Sequence, residues 1–338
     1  MTSTPNRIVF WARLQIARQQ ITEALEAVPG VRVQVTTTLD ETLAALPGAV
    51  GLVLPHGPQE EALQVFAVLR ASRNTVRWMH FISAGREGYE ELGWPPGVAV
   101  SYAAGGVSPA VAEHAMALLL AMARRVPDLV TSVMPRRAFD RTLVAPRARS
   151  LEGATMAIVG YGHIGRELAK RARAFDMRIV SVSRAARREA LVDEAFPLGS
   201  LHEALGQADA IVVAIALTPQ TTGLLSDAAF DACRPGALLV NVARGPIVDS
   251  AALQRALKSG RLGGAALDVT DPEPLPPEDA LWHCPNVLIS PHYAGSGSPL
   301  SVLRLAKGVG ENAARLLAGE PLLHLVSDGG APPSARTA

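Results

Sequence analysis

The segment MAIVGYGHIG (residues 156–165) joins an apolar run to three glycines at G-x-G-x-x-G spacing, and a helical pattern follows it. A strand, a glycine-rich turn and a helix in this order are typical of a loop that binds the phosphates of a dinucleotide. Gly160 would allow the tight turn, Gly162 would let a pyrophosphate approach the backbone, and Gly165 would let the helix pack closely on the strand. The hexapeptide alone is a weak signal. Its position between one strand and the next favours a dinucleotide site.

The next strand, in MRIVSVSRAARRE (177–189), ends in a basic corner instead of an acidic one. An acidic residue about 20 positions after the glycines would bind the ribose hydroxyls of NAD. Here Ser183 and Arg184 offer a small hydroxyl and a guanidinium suited to a 2′-phosphate, and Arg187 and Arg188 follow closely. We therefore predict NADP(H) as the preferred cofactor. NAD(H) is the alternative, in which case these arginines form a solvated basic stretch.

The composition is that of an ordinary globular protein, with 49% hydrophobic and 19% charged residues, and 338 residues favour two domains. The formal net charge of +1 gives no indication of a nucleic-acid or membrane partner, and no metal is expected. Cys233 and Cys284 do not form a disulfide framework, which fits a cytoplasmic location. The N-terminal segment lacks a long apolar stretch, so no signal peptide is expected.

Short β-rich runs alternate with helical patterns along the chain, which predicts an α/β architecture with parallel sheets. The predicted strands cover residues 7–12, 31–37, 50–55, 77–83, 98–103, 156–160, 178–183, 210–216, 237–243, 264–269 and 286–291. A helix over 108–125 is apolar on nearly every side, so we expect it to pack between domains or subunits. A polar connector (135–150) follows this helix, and another helix is predicted over 299–317. We predict two doubly wound parallel-sheet domains with a cleft between them.

Three residues suited to proton transfer and carboxylate binding follow predicted strands. Arg244 lies in NVARGPIVD, Glu273 in LDVTDPEPLP and His292 in SPHYAGSG. Ligands of open α/β sheets bind at the carboxyl ends of the strands. A cation, an acid and an imidazole at three such ends form a candidate catalytic constellation.

With these residues in place, the sequence resembles the D-isomer-specific 2-hydroxyacid dehydrogenases over nearly its whole length. The segments that carry the resemblance are VAEHAMALLLAMAR (111–124), GYGHIG (160–165), LTPQTTGLL (217–225), RPGALLVNVARGPIVD (234–249), GGAALDVTDPEPLP (263–276) and NVLISPHYAG (286–295). The basic corner is closest to the glyoxylate and hydroxypyruvate reductases that use NADPH. The resemblance implies NADPH-dependent reduction of a small 2-oxo acid of this type to the D-2-hydroxy acid.

The resemblance makes Arg244, Glu273 and His292 the catalytic residues, and chemistry gives each a reason. Histidine changes charge near neutral pH, so His292 suits a general acid and base. Glu273 would hold the other ring nitrogen and favour the protonated form. Arg244 would bind the substrate carboxylate and polarise the ketone oxygen.

The resemblance also implies the remaining contacts. Ser83, Ala84 and Gly85, together with Arg244, are expected to bind the substrate. The expected cofactor-binding residues are Gly160, Tyr161, Gly162, His163, Ile164, Gly165, Ser183, Arg184, Arg187, Leu217, Thr221, Val242, Asp268, His292 and Gly295. Asp268 would accept from the nicotinamide carboxamide.

The domains implied by the resemblance are a flavodoxin-like substrate domain and a Rossmann cofactor domain. Residues 1–103 form the substrate domain, which a C-terminal helix (297–327) completes, and residues 104–296 form the cofactor domain. A disordered tail (328–338) is too polar and too rich in glycine and proline to pack. A homodimer joined through the helix near 108–125 and its connector is expected.

Two other functions remain open. A formate or phosphonate dehydrogenase on the same fold would be NAD-dependent, but formate enzymes pair the histidine with an amide, and Glu273 argues against that. A non-catalytic dinucleotide-sensing protein could retain the triad, and measurable turnover would exclude it. Outside the triad, Glu113 and His114 are expected to be buried and hydrogen-bonded on their apolar helix, and His56 is a weaker candidate for the cleft.

Overall fold

The computed structural model describes residues 6–13, 17–83 and 85–329. The chain divides into two compact units, of which the second covers Ser108–Gly297 and the first takes the remainder on either side. The predicted domain boundaries lie after residues 103 and 296, which is four residues and one residue earlier than these divisions. Ala84 and residues 330–338 of the predicted tail lie outside the described residues.

The amino-terminal part of the chain alternates strands with helices. The strands are β1 (Asn6–Trp11), β2 (Val31–Thr36), β3 (Gly51–Leu54), β4 (Trp78–Phe81) and β5 (Ala99–Tyr102). The helices are α1 (Arg18–Glu26), α2 (Leu39–Ala45), α3 (Gln59–Leu69) and the single turn α4 (Glu87–Glu90). Every residue of β3 and β4 is buried, as expected for central strands covered on both faces.

The second unit repeats this alternation. Its helices are α5 (Ser108–Ala123), the short α6 (Val126–Asp128) and α7 (Met134–Arg136), α8 (His163–Arg173), α9 (Leu201–Leu205), α10 (Asp227–Ala232) and α11 (Ser250–Lys258). Its strands are β6 (Thr155–Val159), β7 (Arg178–Ser183), β8 (Glu194–Pro197), β9 (Ala210–Val213), β10 (Ala237–Asn241), β11 (Leu262–Leu267) and β12 (Val287–Ile289). The chain then returns to the first unit with α12 (Pro299–Ala318) and β13 (Leu325–Ser327).

The second unit contains a seven-stranded parallel sheet with the order β12-β11-β10-β9-β6-β7-β8. The chain order reverses between β6 and β9, and a reversal of this kind marks the ligand-binding edge of an open α/β sheet. Because all seven strands are parallel, the loops that follow them emerge at the same edge. The glycine loop follows β6, and the segments with Arg244, Glu273 and His292 follow β10, β11 and β12.

The first unit contains a six-stranded sheet with the order β13-β5-β4-β3-β1-β2, parallel except for β13, which runs antiparallel to β5. The predicted helix over 297–327 is therefore wrong in its last part. Gly319 adopts a left-handed conformation (φ 71°) that ends α12, and Pro321 cannot continue the helix. Strand β8 was not predicted either, since the edge segment EAFP lacks a β-rich alternation.

A buried polar cluster ties α12 to the first sheet. Ser101 Oγ accepts from Trp78 Nε1 at 2.8 Å and lies 2.8 Å from His80 Nδ1, and the Asn312 amide lies 3.3 Å from the same hydroxyl. Asn312 also exchanges two hydrogen bonds with the backbone of Leu323, at 3.1 and 2.7 Å. Burial lowers the pKa of His80 to about 3, so this imidazole is neutral in the folded protein.

Helix α5 buries a face that includes Val111, Ala115, Leu119 and Met122 and packs on α8, β10 and β11. Both cysteines are free and buried. Among the helices of the described residues, none combines the length and the apolar character that a membrane span requires.

Candidate active site

The three loop glycines stand in three different environments. Gly160 has φ 102°, and a Cβ there would lie 2.4 Å from the backbone nitrogen of Ile215. A Cβ on Gly165 would lie 2.5 Å from the carbonyl oxygen of Gly160, so only glycine lets α8 sit this close to β6. A Cβ on Gly162 would meet no described atom within 4 Å. Gly160 and Gly165 are thus needed for packing, whereas Gly162 faces open space.

This loop fits the phosphates of a dinucleotide. Helix α8 is 11 residues long and begins at His163, and its N-cap residue Gly162 supplies no side-chain cap. Its first N–H groups and its positive dipole end therefore point towards the open space at that glycine. Tyr161 and Ile164 are half-buried, while His163 is exposed. The loop supplies backbone donors and the room that a pyrophosphate needs.

The corner after β7 carries exposed positive charge. Ser183 donates to the carbonyl oxygen of Ala185 at 2.8 Å, and the side chains of Arg184 and Arg187 are exposed. Glu189, which follows in the same loop, is held by the guanidinium of Arg166 through bonds of 2.8 and 2.5 Å. These hydrogen bonds also lower the pKa of Glu189. The corner could therefore hold a dianionic group.

Glu273 and His292 form the central pair of the site. Nδ1 of His292 lies 2.6 Å from Oε1 of Glu273, and the two side chains are 38% and 41% exposed. Because a carboxylate accepts but does not donate, Nδ1 carries the proton of this bond. Nε2 of His292 is consequently the nitrogen that can exchange a proton with a ligand.

The loops that carry Arg244 and Glu273 touch each other. A Cβ on Gly245 would lie 1.9 Å from the carbonyl oxygen of Thr270, so glycine is required beside the arginine. Asn241 fixes the same turn, accepting from the backbone of Ala243 and donating to the carbonyl of Arg244, both at 3.0 Å. The guanidinium of Arg244 donates to the carbonyl of Ala243 at 2.7 Å and is half-buried.

Asp268 is the most buried acid of the site, with 2% of its surface exposed. Its Oδ1 accepts from Ser290 Oγ at 2.6 Å and from the Tyr293 N–H at 3.2 Å, and its Oδ2 accepts from the Ala294 N–H at 3.0 Å. Nε2 of His114 lies 3.4 Å from Oδ1. The carboxylate thus binds the loop that contains His292.

Sequence reasoning missed the contacts of His114 and Ser290 with Asp268. The prediction that Glu113 and His114 are both buried is wrong for Glu113, which is exposed, whereas His114 points inward. The two neighbours differ because consecutive residues face about 100° apart on a helix. The available signal was the position of His114 three residues after the buried Val111.

Four of the remaining predicted cofactor residues follow strands at the same edge of the sheet. Leu217 follows β9, Val242 is buried directly after β10, and Gly295 is half-buried after β12. Thr221 is buried in the turn after β9, where its hydroxyl accepts from the Thr218 N–H and donates to the Ala216 carbonyl, both at 2.8 Å. Those bonds give Thr221 a role in shaping the turn.

The predicted substrate residues Ser83 and Gly85 lie in the first unit, after β4. Ser83 Oγ donates to the carbonyl of Gly85 at 3.1 Å and accepts from the backbone N–H of His56 at 3.2 Å. The predicted Ala84 is outside the described residues. Nearby, the Arg86 guanidinium stacks 4.6 Å above the ring of Tyr102. Over the described part of the chain, no three His, Cys, Asp or Glu side chains group as metal ligands would.

Residues 116–294 match the family model of the D-isomer specific 2-hydroxyacid dehydrogenase, NAD binding domain, which covers more than half of the chain. The chain belongs to the D-isomer specific 2-hydroxyacid dehydrogenase family. This confirms the family resemblance. The predicted fold class of two parallel-sheet α/β domains is confirmed as well.

Named relatives show how far the similarity extends. The chain is 33% identical over 231 residues to a D-3-phosphoglycerate dehydrogenase of Archaeoglobus fulgidus, covering 68% of this chain and 43% of that protein. It is 37% identical over 192 residues to a glyoxylate reductase of Pyrococcus furiosus, covering 55% and 56%. The chain thus spans about half the length of these curated relatives.

A solved structure extends the similarity to nearly the whole chain. The D-isomer specific 2-hydroxyacid dehydrogenase of Xanthobacter autotrophicus, in complex with NADPH and MES, superimposes with a TM-score of 0.78 at 26% identity. The match covers 96% of this chain and 98% of that one.

Proposed function

We propose that the protein reduces a small 2-oxo acid, of the glyoxylate or hydroxypyruvate type, to the D-2-hydroxy acid with NADPH as the preferred cofactor. The observation that carries the proposal is the 2.6 Å hydrogen bond between His292 and Glu273. It lies at the same sheet edge as a glycine loop suited to a dinucleotide. A proton donor and a hydride donor are the two things that reduction of a ketone requires.

The chemistry divides into two transfers. A bound reduced nicotinamide supplies the hydride that goes to the carbonyl carbon. The carbonyl oxygen takes its proton from Nε2 of His292, which leaves a neutral imidazole whose Nδ1–H still donates to Glu273. The Glu273 carboxylate stabilises the imidazolium before the transfer and keeps the ring oriented during it.

Arg244 provides the remaining charge. The substrate carries a carboxylate, and negative charge develops on the ketone oxygen as hydride arrives. A guanidinium can bind the first and stabilise the second. Arg244 stands on the loop that touches the Glu273 loop through Gly245, so both groups are held by one packed pair of loops.

The preference for NADPH rests on the corner after β7. Arg184 and Arg187 are exposed there, and Glu189 is paired with Arg166. A 2′-phosphate would therefore meet exposed positive charge, whereas an acid that could bind the ribose hydroxyls of NAD is absent from the strand end. The Xanthobacter relative binds NADPH, which supports the same assignment here.

A homodimer is the proposed assembly. The segment between α5 and β6 exposes Val130, Met134 and Phe139 to solvent. Apolar side chains grouped in this way are typical of a protein–protein interface, and a second copy of the chain would cover them.

The test is the catalytic efficiency kcat/KM for NADPH and for NADH, each with saturating glyoxylate and with saturating hydroxypyruvate. We expect turnover with at least one of these acids and a clear preference for NADPH. Preference for NADH would overturn the cofactor assignment only. Binding of dinucleotide without turnover of any 2-oxo acid would instead favour the sensing function.

A further inference from the structure

His114 contacts residues before and after His292 in the same loop, although the proposed chemistry gives it no role. It stands on α5 with its side chain 12% exposed. Its Nε2 lies 3.0 Å from Ser290 Oγ. Its ring packs edge-on against the ring of Tyr293, with 4.7 Å between the ring centroids. Ser290 and Tyr293 flank His292 in the sequence.

The direction of the hydrogen bonds follows from the hydroxyl. Ser290 Oγ donates its single hydrogen to Asp268 Oδ1 at 2.6 Å, so it can only accept from His114. Nε2 of His114 therefore carries a proton. A chain of donors runs from the imidazole through the hydroxyl to the buried carboxylate, and each member is satisfied by the next.

Asp268 in turn holds the backbone of the loop that carries the catalytic histidine. Its carbonyl oxygen accepts from the His292 N–H at 2.9 Å, and its carboxylate accepts from the next two N–H groups of the loop. His292 has φ 48°, a left-handed conformation that a residue with a Cβ holds only when its surroundings impose it. The orientation of the imidazole thus depends on Asp268, and that of Asp268 on Ser290 and His114.

We propose that His114 is a positioning residue for His292. Through Ser290 and Asp268 it fixes the loop so that Nδ1 of His292 stays on Glu273 and Nε2 stays available to the substrate. Its donor group performs this task, and the ring alone does not. The effect on turnover rests on the proposed function, but the effect on the hydrogen bond between His292 and Glu273 does not.

The matched variants are His114→Phe, His114→Gln and Glu113→Gln. Phenylalanine keeps a ring against Tyr293 but loses the donor, whereas glutamine keeps a donor at a similar reach. The exposed Glu113 on the same helix is the control. We expect His114→Phe to lower kcat by about tenfold or more with KM for the 2-oxo acid nearly unchanged, as for a misplaced catalytic group. Glutamine should restore most of kcat, and Glu113→Gln should behave as wild type.

A spectroscopic readout separates positioning from general destabilisation. In protein labelled with ¹⁵N-histidine, the downfield Nδ1–H resonance of the bond to Glu273 should be lost or broadened in His114→Phe and retained in His114→Gln. Ser290→Ala interrupts the same chain at its middle member and replaces His114→Phe if that variant does not fold. In the double variant, the losses of kcat caused by Ser290→Ala and by His114→Phe should not add.

A His114→Phe protein with unchanged kcat, or with only a lower melting temperature, would overturn the proposal. Retention of the resonance in both His114→Phe and Ser290→Ala would overturn it too. If the wild-type protein turns over no 2-oxo acid, the proposed function fails while the resonance still decides the role of His114.

Discussion

Two histidines, one in each unit, differ in almost everything except residue type. His80 lies in the middle of a buried strand, with Nδ1 2.8 Å from the hydroxyl of Ser101. His292 stands on a loop at the edge of the other sheet, 38% exposed, with Nδ1 2.6 Å from the carboxylate of Glu273. A hydroxyl in an apolar interior does not stabilise an imidazolium, but a carboxylate does. The surroundings therefore make His80 a structural group and leave His292 able to transfer a proton.

The partners of the two rings extend this difference. The His80 cluster joins a sheet to α12 and the chain beyond it, and Asn312 completes it from the helix. The His292 pair joins two loops through Nδ1 and leaves Nε2 outside that hydrogen bond. Loss of the first should affect folding, and loss of the second should affect chemistry.

The largest effect is expected for His292→Ala. Removing the proton donor should lower kcat by about a thousandfold or more, as for other general acids held by a carboxylate. The melting temperature and the dissociation constant for NADPH should change little, since the side chain is partly exposed. Steady-state kinetics measures kcat, fluorescence titration measures the dissociation constant, and thermal unfolding measures the melting temperature. An unchanged kcat would show that His292 is not the proton donor and would contradict the contrast drawn with His80.

Arg244→Lys should have the next largest effect. Lysine keeps the charge but loses the planar fork that binds a carboxylate with two donors. We expect KM for the 2-oxo acid to rise and kcat to fall, with a combined loss in kcat/KM of about a hundredfold. A variant that matched the wild type in both constants would show that the substrate carboxylate binds elsewhere.

A smaller effect is expected at the cofactor corner. Replacing Ser183 with Asp and Arg184 with Ala adds an acceptor for ribose hydroxyls and removes a partner for the 2′-phosphate. The ratio of kcat/KM for NADPH over NADH should fall by about tenfold to a hundredfold, the value of one or two charged hydrogen bonds. Arg188→Ala is a control that changes the charge one residue beyond Arg187. No change in the ratio would leave the corner without a role in specificity.

The smallest effect on activity is expected for the buried histidine, whose contribution appears in stability alone. Burial lowers the pKa of His80 to about 3, whereas an unfolded histidine has the ordinary value of 6.5. Below pH 6.5 His80 binds a proton in the unfolded chain but stays neutral in the folded chain, so stability is lost as pH falls towards 3. The free energy of unfolding should decrease by about 1.4 kcal/mol per pH unit from this group.

Denaturant unfolding between pH 6.5 and 5.5 emphasises this contribution, because the carboxylates with lowered pKa, Glu167 and Asp193 among them, begin to bind protons in the unfolded chain only near their ordinary pKa values of 4.5 and 3.8. The His80→Asn variant should show a shallower pH dependence in that window. An equal slope in both proteins would mean that His80 is not the group responsible.

Much of the fold was predictable because local rules and tertiary structure agree. The glycines of GYGHIG, the apolar strands around them and the strand ends with Arg244, Glu273 and His292 all carry strong sequence patterns. The edge strands β8 and β13 were not predicted, since edge pairing depends on a neighbouring strand more than on the segment itself.

The support of the site was less predictable than its reactive groups. Arg244, Glu273 and His292 stand out because their side-chain chemistry is distinctive. The chain from His114 through Ser290 to Asp268 joins residues 176 and 22 positions apart. No local sequence pattern predicts such a contact, because only the folded sheet brings the helix and the loop together.

The most direct test of the account is to follow the hydrogen atoms. Reduction of glyoxylate by NADPH that carries deuterium at both C4 positions, in ordinary water, should give glycolate with one deuterium on C2 by mass spectrometry. Unlabelled NADPH in heavy water should give none on that carbon, because the solvent-exchangeable proton passes through His292 to oxygen. Solvent deuterium on C2, or product without the cofactor label, would contradict hydride transfer and with it the proposed function.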